Sequence, residues 1–148
     1  MKIIIHKLSA FAAILCITLF FLATIISEIF GSYSNIIIVK NLILFPGLFI
    51  LIPIIITTGI SGSIMTKSKK GIIAKKKKRM LFIAFNGIFI LIPSAITLNY
   101  LASKMCFNQT FYIVQIFELL AGLMNIILMS LNIKDGIKIL KLKNNREK

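Results

Sequence analysis

Three ionisable side chains lie within or at the end of long apolar stretches, and these are the residues best placed to do chemistry. They are Glu28, Lys40 and Glu118. A charge is costly to place in hydrocarbon, so such groups usually face the interior of a helix bundle and mark an ion path, a ligand site or an interhelical pair. The chemistry that these residue types offer is ion pairing and the binding of protons or cations.

Glu28 and Lys40 fall on either side of a short polar connection at residues 31–35. If two antiparallel helices meet there, both side chains occupy the same outer third of the bundle and are able to pair. The pattern leaves three interpretations open: a stapling ion pair, a lysine that reaches along the helix to the membrane surface, or a ligand or ion site.

Glu118 belongs to a polar stripe. It follows the start of its apolar stretch by seven residues, which is about 10 Å at about 1.5 Å per residue. Steps of three and four residues place a set of side chains on one helix face: Gln115, Glu118, Gly122, Asn125, Met129 and Asn132. The preceding stretch has a similar series, and the two faces are predicted to meet: Asn86, Ile90, Pro93, Thr97 and Tyr100.

These patterns define a candidate intramembrane polar site, made of Glu118, Gln115, Asn125, Asn86, Lys40 and Glu28. Amide and carboxylate side chains on such a face act as interhelical glue in many membrane proteins. Two other interpretations remain. The stripe could bind protons or cations, with Glu118 as the titrating group and Lys40 as its counter-charge, or it could dock the helix of a partner.

The residue types that most enzymes require are sparse. The single histidine, His6, is predicted at the cytoplasmic edge, and two cysteines, Cys16 and Cys106, are too few for a disulfide framework or a CxxC site. No His, Cys, Asp and Glu residues have metal-ligand spacing, and no serine or cysteine has an adjacent base. The sequence predicts no enzymatic activity, no cofactor and no metal.

The elements that hold these residues are predicted from hydropathy. Hydrophobic residues make up 58% of the 148, and the mean hydropathy is +0.97, well above a soluble chain. A membrane-crossing helix needs about 20 apolar residues, and four segments qualify, at about 8–29, 36–60, 80–102 and 111–133. The prediction is an all-α, polytopic membrane protein with four antiparallel transmembrane helices in one domain, 1–148.

Charge sets the predicted orientation. Of 18 Lys and Arg residues, all but Lys40 and Lys104 belong to the N-terminus, a basic loop at 61–79 or a basic tail at 134–148. Because positive charges stay on the cytoplasmic side, both termini and the loop are predicted to be cytoplasmic. The Ile-, Lys- and Asn-rich composition suggests a bacterial gene, hence the cell (inner or plasma) membrane.

The basic loop also offers contacts for anionic lipid headgroups. The candidates are Lys69, Lys70, Lys75, Lys76, Lys77, Lys78 and Arg79. Binding of nucleic acid is not expected, because aromatic residues that would stack on bases are absent from the basic stretches.

Two further patterns predict where the helices change direction or end. Pro46, Pro53 and Pro93 lie within spans, where each removes a backbone donor and is able to kink its helix. The glycines and serines of residues 59–63 predict the end of the second span.

The leading functional hypothesis is a small non-enzymatic integral membrane protein that acts through helix–helix contacts. It would be an accessory or assembly subunit of a larger membrane complex, or a homo-oligomer, with the lipid bilayer as its surroundings and anionic lipids as candidate contacts. The contacts would be made by the faces of Gln115, Glu118, Asn125 and Asn86. The alternative is a small proton- or cation-coupled transporter or channel that uses Glu118 and Lys40.

Overall fold

The computed structural model describes residues 2–65 and 71–144, and this part of the chain is almost entirely helical. The α-helices are α1 (Lys2–Phe30), α2 (Tyr33–Leu42), α3 (Phe49–Met65), α4 (Gly71–Asn86), α5 (Ile92–Ser103) and α6 (Gln109–Asn144). Helices α2 and α3 form one apolar rod, as do α4 and α5. The described residues therefore contain four helical rods long and apolar enough to cross a membrane: Ile4–Phe30, Tyr33–Ser61, Gly71–Ser103 and Gln109–Ile139. The predicted all-helical fold with four helices long and apolar enough to span a membrane is confirmed.

The rods are longer than the predicted spans, and this corrects two boundaries. Helix α3 continues through Gly59 to Met65, so the glycines and serines of residues 59–63 do not end it. Helix α4 already begins at Gly71, so the described part of the predicted loop is helical. The 36 residues of α6 extend about 54 Å at about 1.5 Å per residue, so the described part of the basic tail is helical.

The second rod is kinked between α2 and α3. Phe45 leaves helical geometry (φ −130°, ψ 112°), immediately before Pro46, which lacks a backbone donor and disfavours a helical conformation in the residue before it. The kink expected at Pro46 is therefore present, whereas α3 continues through Pro53. Gly47 makes the kink compact, because a β-carbon there would lie 2.8 Å from Phe20 Cζ of α1.

The third rod changes its register at a π-helical segment, Gly87–Leu91. A π-helical turn accommodates one extra residue, so the face that carries Asn86 continues one position later than α-helical spacing predicts. The residues buried beyond the segment are Ser94, Ala95, Leu98 and Ala102. The predicted face beyond Asn86 is wrong, since Ile90, Pro93, Thr97 and Tyr100 are all exposed.

The packed interior consists of two groups of apolar side chains. The larger group is Ala13, Ile17, Leu48, Leu51, Ile83, Ala95 and Met129. The smaller group, nearer the α5–α6 connection, is Ile36, Leu98, Ala102 and Phe111. Helix α1 packs chiefly on α3, and α6 packs on α1, α4 and α5. The outer surface is dominated by exposed large apolar side chains, as expected when the solvent is lipid.

Candidate functional site: a buried polar cluster

A buried ion pair joins the second rod to α6. Lys40 Nζ lies 2.6 Å from Glu118 Oε2, and the two side chains are only 1% and 12% exposed. Gln115, one turn earlier on α6, donates from Nε2 to the same carboxylate oxygen at 3.2 Å. The structure thus brings three of the predicted site residues into direct contact, and the Lys40–Glu118 contact is the pairing on which the transport hypothesis depends.

Glu28 lies beside this pair without joining it by an ion pair. It is within electrostatic reach of both Lys40 and Glu118, yet the stapling pair between Glu28 and Lys40 is not formed, because the ammonium group turns to α6 instead. The Oε1 atom of Glu28 is buried and has no hydrogen-bond partner among the described residues. The same holds for Oε1 of Gln115, whose side chain is 4% exposed.

A second polar layer lies deeper in the bundle. Asn86 donates from Nδ2 to Asn125 Oδ1 at 2.8 Å and to the backbone oxygen of Ala121 at 2.9 Å. Both asparagines are buried, at 3% and 1% exposure. The π-helical segment starts directly after Asn86, so the break in α-helical register lies beside this contact. The interior position predicted for the stripe on α6 is observed from Gln115 to Asn132.

A third polar group joins the middle of α4 to α6. Arg79 donates to Asp135 Oδ2 at 2.6 Å and to Asn132 Oδ1 at 3.2 Å. Sequence reasoning missed this contact. The signal for it was present, since Asp135 continues the stripe on α6 by one more step of three residues after Asn132.

His6 connects α1 to the end of α3. Its Nδ1 lies 3.2 Å from the Thr58 backbone oxygen and 3.1 Å from Ser61 Oγ, and the residue is only 8% exposed. The sequence predicted only its place at the cytoplasmic edge; the structure adds that the ring packs between α1 and α3. Lys76 lies within electrostatic reach of both His6 and Asp135.

The predicted headgroup contacts divide into three classes. Lys75, Lys77 and Lys78 are exposed on the first turns of α4. Lys76 is half-buried and its Nζ lies over Gly136 of α6, while Arg79 is engaged by Asp135 and Asn132. Lys69 and Lys70 lie outside the described residues.

A cavity of about 60 Å³ lies between the rods. Its lining is apolar except for Thr24 and Glu118, and all four rods contribute: Ile17, Phe20, Phe21, Thr24, Ile43, Leu48, Leu51, Leu91, Ala95, Glu118, Leu119 and Gly122. This is room for a few water-sized species. Glu118 therefore belongs both to the ion pair with Lys40 and to the lining of this cavity, where it is the one carboxylate.

The arrangement allows charge and proton binding within the bundle. Among the described residues there is no group of three or more His, Cys, Asp and Glu side chains that could hold a metal ion. Cys16 is half-buried and Cys106 is exposed, and both are free thiols. Comparison of the chain with protein-family models, with curated proteins and with solved structures finds no match.

Proposed function

We propose that this chain is a non-enzymatic integral membrane protein that acts through helix–helix contacts, as an accessory or assembly subunit of a membrane complex or as a homo-oligomer. The observation that carries the proposal is the internal use of the polar groups. In α6, Glu118 bonds to Lys40, Asn125 bonds to Asn86, and Asn132 and Asp135 bond to Arg79 of the same chain. What the bundle offers to other membrane proteins is therefore its apolar outer surface.

This geometry changes which faces make the contacts. The faces of Gln115, Glu118, Asn125 and Asn86 were expected to meet a partner, but they are buried within the chain. In the proposal they hold the four rods in one arrangement, and the lipid-facing sides of the helices associate by van der Waals packing.

The proposal includes an orientation in the cell membrane, with antiparallel rods and both termini in the cytoplasm. It is supported by the distribution of charge, which favours the cytoplasm for the basic segments. It is also supported by contacts near these segments, since His6 contacts Ser61 and Arg79 contacts Asp135.

The experiment is purification of the tagged full-length chain from its native membrane in mild detergent, followed by measurement of the mass and composition of the eluted particle. We expect a stoichiometric foreign subunit or a discrete homo-oligomer. In parallel, the membrane complexes of a strain that lacks the gene are compared with those of the parent strain, which identifies the complexes that change. A monomeric particle, together with unchanged membrane complexes in the deletion strain, would contradict the proposal.

A second candidate function is proton- or cation-coupled transport. It is favoured by one observation, that Glu118 lines a cavity to which all four rods contribute. Four spans rarely enclose a path alone, so this candidate requires a dimer or larger assembly. Flux into vesicles that contain the purified chain should fall in Glu118→Gln, with Glu147→Gln as the control for loss of an acid elsewhere. Flux that is the same in both variants would remove Glu118 from any coupling role.

A further inference from the structure

We propose that Glu28 binds a single positive charge, a proton or Na⁺, beside the Lys40–Glu118 ion pair. The site would consist of the Glu28 carboxylate, with the free amide oxygen of Gln115, whose Nε2 binds Glu118, as a candidate second acceptor. The inference deepens the second candidate function and rests on it only for a role in transport, because binding at equilibrium requires no flux.

The first argument is charge balance. Glu28 lies within electrostatic reach of Glu118 and Lys40, so this part of the bundle holds two carboxylates and one ammonium group. Lys40 is committed to Glu118 at 2.6 Å, which leaves the charge of Glu28 without a partner. An uncompensated charge is costly where water is scarce, and one bound monovalent cation removes the imbalance.

The second argument is the presence of acceptors that lack donors. Oε1 of Glu28 and Oε1 of Gln115 are both buried without a hydrogen-bond partner in the part of the chain that the structure describes. The Gln115 side chain is 4% exposed, and its Nε2 is fixed on Glu118, so the amide orientation that leaves Oε1 free is set by an existing hydrogen bond. Buried acceptors of this kind normally have a partner, and oxygen atoms are the ligands that hard cations prefer.

The third argument is access. Glu28 lies in the last turn of α1 and is partly exposed, whereas Lys40 and Glu118 are nearly enclosed. Thr24 precedes Glu28 by four residues on the same helix face and lines the cavity together with Glu118. A cation would therefore reach Glu28 from the end of the bundle, with the cavity one turn further along α1.

The experiment uses the purified full-length chain in lipid nanodiscs at neutral pH, with choline chloride replaced stepwise by NaCl. Infrared spectra report the carbonyl band of a protonated carboxylic acid and any change of that band on addition of NaCl, and a pH dye in weak buffer reports released protons. Glu28→Gln removes the carboxylate, and Glu28→Asp retains it if the amide variant folds poorly. Glu147→Gln is the matched control, the same change at an acid outside the described residues.

A proton site predicts a protonated-acid band that is present in the wild type and in Glu147→Gln, is absent from Glu28→Gln and is insensitive to NaCl. If the site binds Na⁺ in place of a proton, rising NaCl should remove that band to saturation and release the displaced proton. If Glu28 is already ionised, rising NaCl should change the carboxylate bands to saturation without proton release. In either case Gln115→Leu should weaken Na⁺ binding by about 10-fold or more. Wild-type spectra that show no protonated acid and no response to NaCl would overturn the proposal.

The outcome is separable from the fate of the transport hypothesis. If the chain binds a proton or Na⁺ at Glu28 but moves no ion across a vesicle membrane, the site stands and transport is refuted. If flux depends on Glu118 while the Glu28→Gln spectra match the wild type, transport stands and the Glu28 site is refuted.

Discussion

At the scale of single residues, the Lys40–Glu118 pair is the contact with the largest energetic consequence. Removing two charges from water is expensive, and their attraction offsets this cost only with close geometry and further hydrogen bonds. Both conditions hold, because the atoms are 2.6 Å apart and Gln115 donates to the same carboxylate. The pair therefore stabilises the folded chain only while both partners are present, because either charge alone would be buried without compensation.

Lys40→Met should lower the free energy of unfolding by about 3–5 kcal/mol, because it leaves the Glu118 charge buried without its partner. The double variant Lys40→Met/Glu118→Leu should recover most of this loss, since it removes both charges. Denaturant titration in mixed micelles measures the free energy of unfolding of the wild type, Lys40→Met and the double variant. Lys138→Met is the control, a lysine on the exposed surface of α6. Equal effects of Lys40→Met and Lys138→Met would show that the pair is not buried in the membrane.

Asn86→Leu should have a smaller effect than loss of one ion-pair partner. It removes the donor to Asn125 and Ala121, and interhelical hydrogen bonds in membranes contribute about 0.6 kcal/mol on average and up to about 1.7 kcal/mol. The same titration checks this prediction, with Asn41→Leu as the control at an exposed position of α2. A loss larger than that of Lys40→Met would contradict the ranking of the two polar layers.

At the scale of helical elements, local irregularities decide which residues reach the interior. The π-helical segment in the third rod moves the buried face by one residue, so that Ser94 and Leu98 are buried instead of Pro93 and Thr97. The kink at Phe45 places Gly47 against Phe20. Neither irregularity is a property of an ideal helix, and both depend on what packs against the segment.

Deletion of Phe89 should be tolerated. It is an exposed residue of the π-helical segment, and removing one residue there converts the segment to α-helix while both flanking faces stay in place. Deletion of Leu120, an exposed residue of α6, should abolish the folded state, because it rotates the following residues by about 100°. Size-exclusion profiles and thermal unfolding of the two deletion chains test the contrast. Equal tolerance would indicate that the π-helical segment absorbs no register change.

Gly47→Ala should destabilise the bundle by about 1–3 kcal/mol, the usual cost of overpacking. Its β-carbon would approach Phe20 Cζ at 2.8 Å and the Leu42 backbone oxygen at 2.9 Å, and a backbone atom cannot move aside cheaply. Gly87→Ala is the matched control, since no atom lies within 4 Å of its β-carbon position. Thermal unfolding in detergent compares them, and a loss in Gly87→Ala equal to that in Gly47→Ala would show that close approach is not the cause.

At the scale of the whole molecule, the charge distribution and the bundle make separate contributions. The charge distribution favours the proposed orientation in the membrane, whereas the bundle determines which charged side chains stay exposed. Arg79 and Asp135 neutralise each other, so the exposed lysines of α4 carry the surface charge of that region. The two native cysteines make the orientation accessible to experiment.

In a Cys16→Ser background, Cys106 should react with a membrane-impermeant maleimide added to intact cells, because the connection between α5 and α6 is proposed to face outward and the thiol is exposed. A cysteine introduced by Lys138→Cys in a chain without native cysteines should react only after the membrane is permeabilised. Labelling is read by gel shift. The reverse pattern would refute the proposed orientation while leaving the fold unchanged.

The sequence by itself determined the architecture of this protein. Long apolar runs predict membrane-crossing helices because the bilayer demands internal hydrogen bonding over a fixed thickness. The spacing on α6 also predicted an interior polar face, because a regular helix converts spacing into direction. Glu118, Gln115 and Asn125 were identified in this way.

Only the tertiary structure decided which of these residues meet. Both Glu28 and Glu118 were candidate partners for Lys40 by sequence. Lys40 pairs with Glu118 because of how α2, which precedes the kink at Phe45, is placed relative to α6. The pairing of Arg79 with Asp135 and the position of His6 beside Ser61 likewise join distant parts of the chain. Sequence spacing fixes directions around one helix axis, but contacts between helices depend on their relative rotation and on register shifts such as the one after Asn86, which arise from packing.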